Sequence, residues 1–208
     1  MKVKLEDLHV TIDPGHSGVA DPGAVGNGIL ESTIALSVSK YIEQRLQNDY
    51  GLKENQVQKT RTKDLDKKQE LKQKTDFANK KKSDILVSIH CNSAGQVEGF
   101  ESFRYINQNT QSESYKLQLL VHSKVFEVYK KYSKTDNNRG MKQADFHMLR
   151  ESDMPSILLE LAFISDKDDA AILANKTYQK EVGYAIADGI AAYFELKLVS
   201  KKCPTCGK

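Results

Sequence analysis

The 208-residue chain has no tryptophan, only four prolines and only three cysteines. An odd number of cysteines, two of them in the last six residues, excludes a disulfide framework. No apolar run approaches the length needed to cross a membrane, and the start, MKVKLEDLHV, lacks the apolar stretch of a secretion signal. The chain is therefore expected to be made without a signal peptide and kept in the cytoplasm until something else releases it, with no membrane insertion. Charge of one sign is also scarce: 31 basic residues stand against 28 acidic ones, a net charge of +3. So small an excess suits adsorption to a polyanion and is too weak to argue for a nucleic-acid partner. What remains, 39% hydrophobic and 28% charged, is the composition of a soluble globular protein long enough for one sizeable core.

Along the chain, β-prone apolar runs alternate with amphipathic stretches. LHVTI (8–12), QVQKTR (56–61), DILVSIH (84–90) and VEGFESFRY (97–105) read as strands, as do FHMLR (146–150) and SILLE (156–160) on either side of a turn at Pro155. Helical spacing runs from Glu31 to Asn48, over 112–132, and over 167–174 and 177–195. A lysine-rich helix capped by Asp66 is expected to bury Leu71, Phe77 and Ala78 and to expose its lysines. The alternation predicts an α/β fold: a single domain (1–196) with a mostly parallel central sheet flanked by helices, followed by a basic tail (197–208).

Three of these strands lead into polar, chemically capable residues. LHVTI runs on to His16, ILVSI to His90 and SILL to Glu160. The carboxyl ends of parallel strands share one edge of a sheet, where ligands gather. Glu31, at the start of the first helix, can fold back over the same edge. Two imidazoles and a carboxylate with an open fourth position suit a catalytic zinc. Each residue also has a plainer use: loop hydrogen bonding for a histidine, the helix dipole for Glu31, a lysine partner for Glu160. His9 and His122 are read as ordinary structural histidines. His147, close to Glu160 in sequence, lacks the strand-end placement.

Taken together, IDPGHSGVADPGAVGNGILES, VSIHCNS and MPSILLELAFIS resemble the zinc-dependent N-acetylmuramoyl-L-alanine amidases of the type-3 amidase family, over about Leu8 to Phe194. The resemblance implies that His16, Glu31 and His90 are zinc ligands and Glu160 the catalytic glutamate, on a largely parallel sheet flanked by helices. It further implies hydrolysis of the amide between N-acetylmuramic acid and L-alanine of the stem peptide in peptidoglycan, in the setting of a phage endolysin or a bacterial autolysin. Departures from the family's pattern are local: Cys91, Ala162 and the Ser165-Asp166 pair. The rival readings are a zinc peptidase acting on the stem peptide and a non-catalytic wall-binding module of the same fold. Some members carry a helical plug between the second histidine and the glutamate; here the stretch from His90 to Glu160 leaves no segment to form one.

The tail, KKCPTCGK, places Cys203 and Cys206 at the spacing of half a zinc knuckle. A second, structural metal would need two more ligands. Three uses stay open: a frayed terminus, the start of a wall-targeting module, or a homodimer in which two chains pool their thiolates.

Overall fold

The computed structural model describes residues 3–199. Cys203 and Cys206, and with them the half-knuckle and the pooled site, lie outside the described residues. The expected α/β architecture is present. In chain order the elements are β1 (Val10–Pro14), β2 (Val25–Gly26), β3 (Ile29–Leu30), α1 (Glu31–Tyr50), β4 (Val57–Lys59), α2 (Leu71–Lys80) and β5 (Ile85–Asn92). There follow β6 (Phe100–Tyr105), α3 (Glu113–Tyr132), β7 (Asn138–Ala144), α4 (His147–Arg150), β8 (Ser156–Phe163), α5 (Lys167–Ala174) and α6 (Lys176–Tyr193).

Six strands form one sheet in the order β4-β1-β5-β8-β6-β7. The first four run parallel; β6 is antiparallel to β8 and parallel to β7. Alternation along the strands gives the sheet two unlike faces. Val10, Ile12, Ile85, Val87, Ile89, Ile157, Leu159 and Leu161 join the main core with α1, α3 and α6. Each such side chain, fully buried, contributes about 1.5–3 kcal/mol. The intervening residues, including Asp13, Leu86, Ser88, His90, Leu158 and Glu160, face α2 and α4, where the apolar packing is limited to Ala78, Leu86 and Met148 with Met154 against them. The thin, polar face is the one that carries the chemistry.

Helix boundaries follow local signals. Gly51, at φ 78°, ends α1 in the left-handed conformation and donates to the Gln47 carbonyl, while the Leu52 N–H donates to that of Leu46. Ser112, Asp166 and Asn175 cap α3, α5 and α6 through their side chains. Beyond α6, Leu196 packs against the core and the Val199 N–H donates to the Asp49 carbonyl.

Three expectations need correction. Residues 146–150 are not a strand: His147–Arg150 is one helical turn, burying Met148 and Leu149. The strand in this region is β7, an edge strand of mostly polar residues whose sequence has no apolar alternation to reveal it. The lysine-rich helix starts at Leu71 with Glu70, not Asp66, as its cap; Glu70 and Gln73 form the reciprocal capping pair. Its buried residues are Lys74, Thr75 and Ala78, while Leu71 is exposed, because the sheet face beneath it is polar. The strands also run on past His90 and Glu160, to Asn92 and Phe163, and set the two residues opposite one another in the β5–β8 register.

Asp169 ties the β6 and β8 regions together. Its Oδ2 accepts from the Gly99 and Phe163 N–H groups, both at 2.8 Å, and its Oδ1 from the Tyr129 hydroxyl at 2.7 Å. Asp169→Ala leaves three buried donors without an acceptor, at about 1 kcal/mol or more each. The expected loss is about 3 kcal/mol, read as a lower urea midpoint with unchanged slope; a loss below about 1 kcal/mol would contradict this role.

Candidate metal and active site

The loop after β1 brings His16 to the sheet edge. Gly15 donates its N–H to the Ile89 carbonyl, which keeps the loop against β5. A Cβ at Gly15 would lie 2.6 Å from His90 Cε1 and 2.7 Å from the Ile89 oxygen, so only glycine fits. His16 has φ 62°, the left-handed region, which costs a non-glycine residue about 1–2 kcal/mol. That strain turns the imidazole toward the start of α1.

Glu31 is the first residue of α1 and is 4% exposed. Its two oxygens are each engaged twice. Oε2 lies 3.0 Å from His16 Nε2 and accepts the Ala24 N–H at 2.8 Å. Oε1 lies 2.7 Å from His90 Nδ1 and accepts the Cys91 N–H at 3.1 Å. A Cβ at Gly23 would meet both Glu31 Oε2 and His16 Cδ2 at 2.5 Å, so a bare backbone is required there too. The Cys91 side chain itself lies in the main core on the opposite face, as strand alternation requires.

The remaining nitrogen of His16 is also committed: Nδ1 donates to Asp21 Oδ1 at 3.0 Å. A carboxylate on the far nitrogen fixes ring orientation and frees the near nitrogen for a metal. Burial works against a charge on His16, but Glu31 and Asp21 outweigh it and raise its pKa above the usual 6.5. Burial likewise opposes charge on Glu31, yet the two imidazoles hold its pKa far below the carboxylate range. His16, Glu31 and His90 bring one donor atom each within 4.8 Å of one another, two nitrogens and an oxygen. The donor set fits zinc.

Glu160 opens into the same cavity, about 520 Å³ in volume, which is lined also by His16, Glu31 and His90. Its Oε2 is buried and has no hydrogen-bond partner. Burial first, then the nearby Glu31 and Glu101 charges, push its pKa well above 4.5. Leu71, Phe146, Met148 and Leu158 form an apolar wall, and Asn92 and Ser93 a polar lip. A second grouping, Glu98, Asp166 and Asp169, is less suited to a metal, since Asp169 is already spent on its three donors.

All four residues singled out from the sequence are thus brought together. Several partners were not anticipated. Asp21 and Gly23 sit in the DPGA stretch that passes equally well as a turn, and a carboxylate five residues after a histidine was the available signal for Asp21. Arg61 reads as the last residue of the QVQKTR strand, and Lys74 as one of the solvated lysines of the helix that follows. His147 lines the cavity from α4 and contacts Thr75 Oγ1 at 3.3 Å through Nε2, while His122 is buried between Ser102 and Asn138 as a structural histidine.

Known proteins resemble the chain over most of its length. The family model described as N-acetylmuramoyl-L-alanine amidase matches residues 10–192. The endolysin of Bacillus phage SPP1 is 36% identical over 90% of this chain and 66% of its own length. The sporulation-specific N-acetylmuramoyl-L-alanine amidase of Bacillus subtilis is 35% identical over 93% of this chain and 71% of its own. Among solved structures, the catalytic domain of CwlV, an N-acetylmuramoyl-L-alanine amidase from Bacillus (Paenibacillus) polymyxa var. colistinus, superposes with a TM-score of 0.80 at 32% identity, covering 91% of this chain and 99% of that one. Fold and site define a hydrolase of the peptidoglycan-degrading class. The chain belongs to the N-acetylmuramoyl-L-alanine amidase family.

Metal binding at this site must displace the extra proton on His16. Glu31 and Asp21 favour the protonated form of His16 in metal-free protein. Zinc binding below neutral pH should therefore release the His16 proton, and this share of the release should fall as pH rises through the raised pKa. Calorimetry in buffers of different ionisation enthalpy reads the protons released; zinc binding below neutral pH with no proton release would contradict the assignment.

Proposed function

We propose that the chain hydrolyses the amide joining N-acetylmuramic acid to L-alanine of the peptidoglycan stem, with zinc held by His16, Glu31 and His90. The observation that carries the reading is the unpartnered carboxyl oxygen of Glu160 in the cavity where the two imidazoles and Glu31 converge. When bound, zinc supplies Lewis acidity, polarising the carbonyl and bringing the pKa of a water toward ~7.

Glu160 does the proton work. Burial and neighbouring carboxylates raise its proton affinity above that of an ordinary carboxylate, which suits a group that must both accept and return a proton. It takes the proton of the attacking water and hands it to the leaving nitrogen of L-alanine. Asp21 keeps His16 oriented throughout. The apolar wall of Leu71, Phe146, Met148 and Leu158 excludes water from one side of the scissile bond, and the Asn92–Ser93 lip offers polar groups to the peptide.

Access to the wall, not an internal plug, is the proposed control. Between His90 and Glu160, α3 packs on α6 and β7 is paired into the sheet, which leaves α4 and its flanks as a wall of the cavity. None of the helices among the described residues is long and apolar enough to cross a membrane.

Mass analysis of digested peptidoglycan distinguishes the readings. An amidase exposes the amino group of L-alanine, a stem peptidase shortens the stem, and a binding module leaves no product. Chelation should abolish hydrolysis and Zn²⁺ restore it. Glu160→Gln should keep wild-type zinc content and lose turnover by about 10²–10⁴-fold, because the amide cannot accept the proton. Wild-type turnover in that variant would falsify the assigned base.

A further inference from the structure

The loop that carries His16 is gripped from behind by two buried cations. Where β1 leaves the sheet, the carbonyls of Pro14, Gly15 and His16 turn toward Arg61 and Lys74. Arg61 Nε donates to the His16 oxygen at 3.0 Å and to the Pro14 oxygen at 3.3 Å. Its Nη2 donates to the Gly15 oxygen at 2.9 Å and to the Ser32 oxygen, next to Glu31, at 2.7 Å. Lys74 Nζ donates to the His16 oxygen at 3.0 Å, the Pro14 oxygen at 3.1 Å and Asp13 Oδ1 at 2.9 Å. The side chains of Arg61 and Lys74 are 0% and 2% exposed.

Burying a lysine and an arginine beside a site that is to hold a divalent cation runs against electrostatics. Desolvation costs several kcal/mol per ion, and the cations repel the metal. Asp13 offsets Lys74 and is itself held by Thr60 and Ser88 hydroxyls at 2.5 and 2.7 Å; Asp64 meets Arg61 at the surface. The gain is geometric. A non-glycine residue at φ 62° persists only where its surroundings over-determine it, and here the peptide oxygen of that residue receives both cations. Arg61 also spans both ligand-bearing segments, the His16 loop and the first turn of α1.

We propose that Arg61 and Lys74 are positioning residues for the metal, holding the His16 loop in its strained conformation before zinc arrives. The inference rests on the zinc reading above. Removal of the grip lets His16 relax, so zinc must then reorder the loop and binds more weakly. A role confined to stability predicts a different pattern, in which the metal-free protein unfolds more easily but the folded protein keeps its zinc affinity.

The test is zinc competition against a chromogenic chelator, using dialysed metal-free protein whose folding is checked by near-UV circular dichroism. Wild-type protein without affinity for zinc overturns the metal reading and this inference together. With wild-type binding established, the paired change Asp13→Asn with Lys74→Met, which leaves no unpaired buried charge, should weaken zinc binding about 10–100-fold. Lys74→Arg, which keeps donors for the same carbonyls, should stay within about threefold of wild type. Arg61→Lys keeps the charge but offers one ammonium for four carbonyls, and should weaken zinc about tenfold. It decides the matter alone if the paired variant does not fold. Wild-type zinc affinity in folded Arg61→Lys, or in the folded paired variant, overturns the inference while leaving the metal reading intact.

Discussion

Everything at the candidate centre is organised around one buried carboxylate. Glu31 is gripped by two imidazoles and two backbone N–H groups, so neither oxygen can move without breaking two contacts. Each grip has a structural consequence elsewhere. The Ala24 N–H fixes the loop before the β2–β3 hairpin, the Cys91 N–H fixes the end of β5, and His16 is forced into the left-handed region to reach the same group. A carboxylate so crowded by donors stays ionised far below its ordinary pKa, which is what a ligand for a divalent cation needs.

The two faces of the sheet divide stability from chemistry. One face is continuous with α1, α3 and α6 and holds nearly all the apolar burial. The other is covered by α2 and α4 over polar residues, and it trades hydrophobic energy for a set of buried charges: Asp13 with Lys74, Glu31 with its histidines, and Glu101 with Arg139 and Lys142. Glu160 is the exception on this face. Its strand neighbour Glu101 is paired with Arg139 and Lys142 and accepts from the Asn92 amide, whereas Glu160 has an oxygen without a partner. An unsatisfied buried carboxyl costs stability, and such groups persist where a reaction uses them.

The parallel strands and the four central residues were legible in the sequence because strong apolar runs end near histidines and glutamates that a metal site needs. Their surroundings were not. β7 is polar, contains a glycine and sits at an edge, so no periodicity marks it. FHMLR has β-prone residues but makes one helical turn, since β6 and β8 pair directly and leave it no strand partner. Lys74 is the clearest failure: in a run of lysines nothing distinguishes the one that points inward. Its burial is dictated by Asp13, sixty-one residues away, across a tertiary contact that composition cannot announce. The register that sets Glu160 opposite His90 is likewise a property of the assembled sheet.

The central claim is that three side chains meet at one metal. Crystals of the protein grown with zinc, measured on both sides of the zinc absorption edge, test it most directly. The account predicts one anomalous peak per chain among the described residues, within about 2.0–2.2 Å of His16 Nε2, a Glu31 oxygen and His90 Nδ1. A peak at the Glu98, Asp166 and Asp169 grouping with the histidine site empty would contradict it.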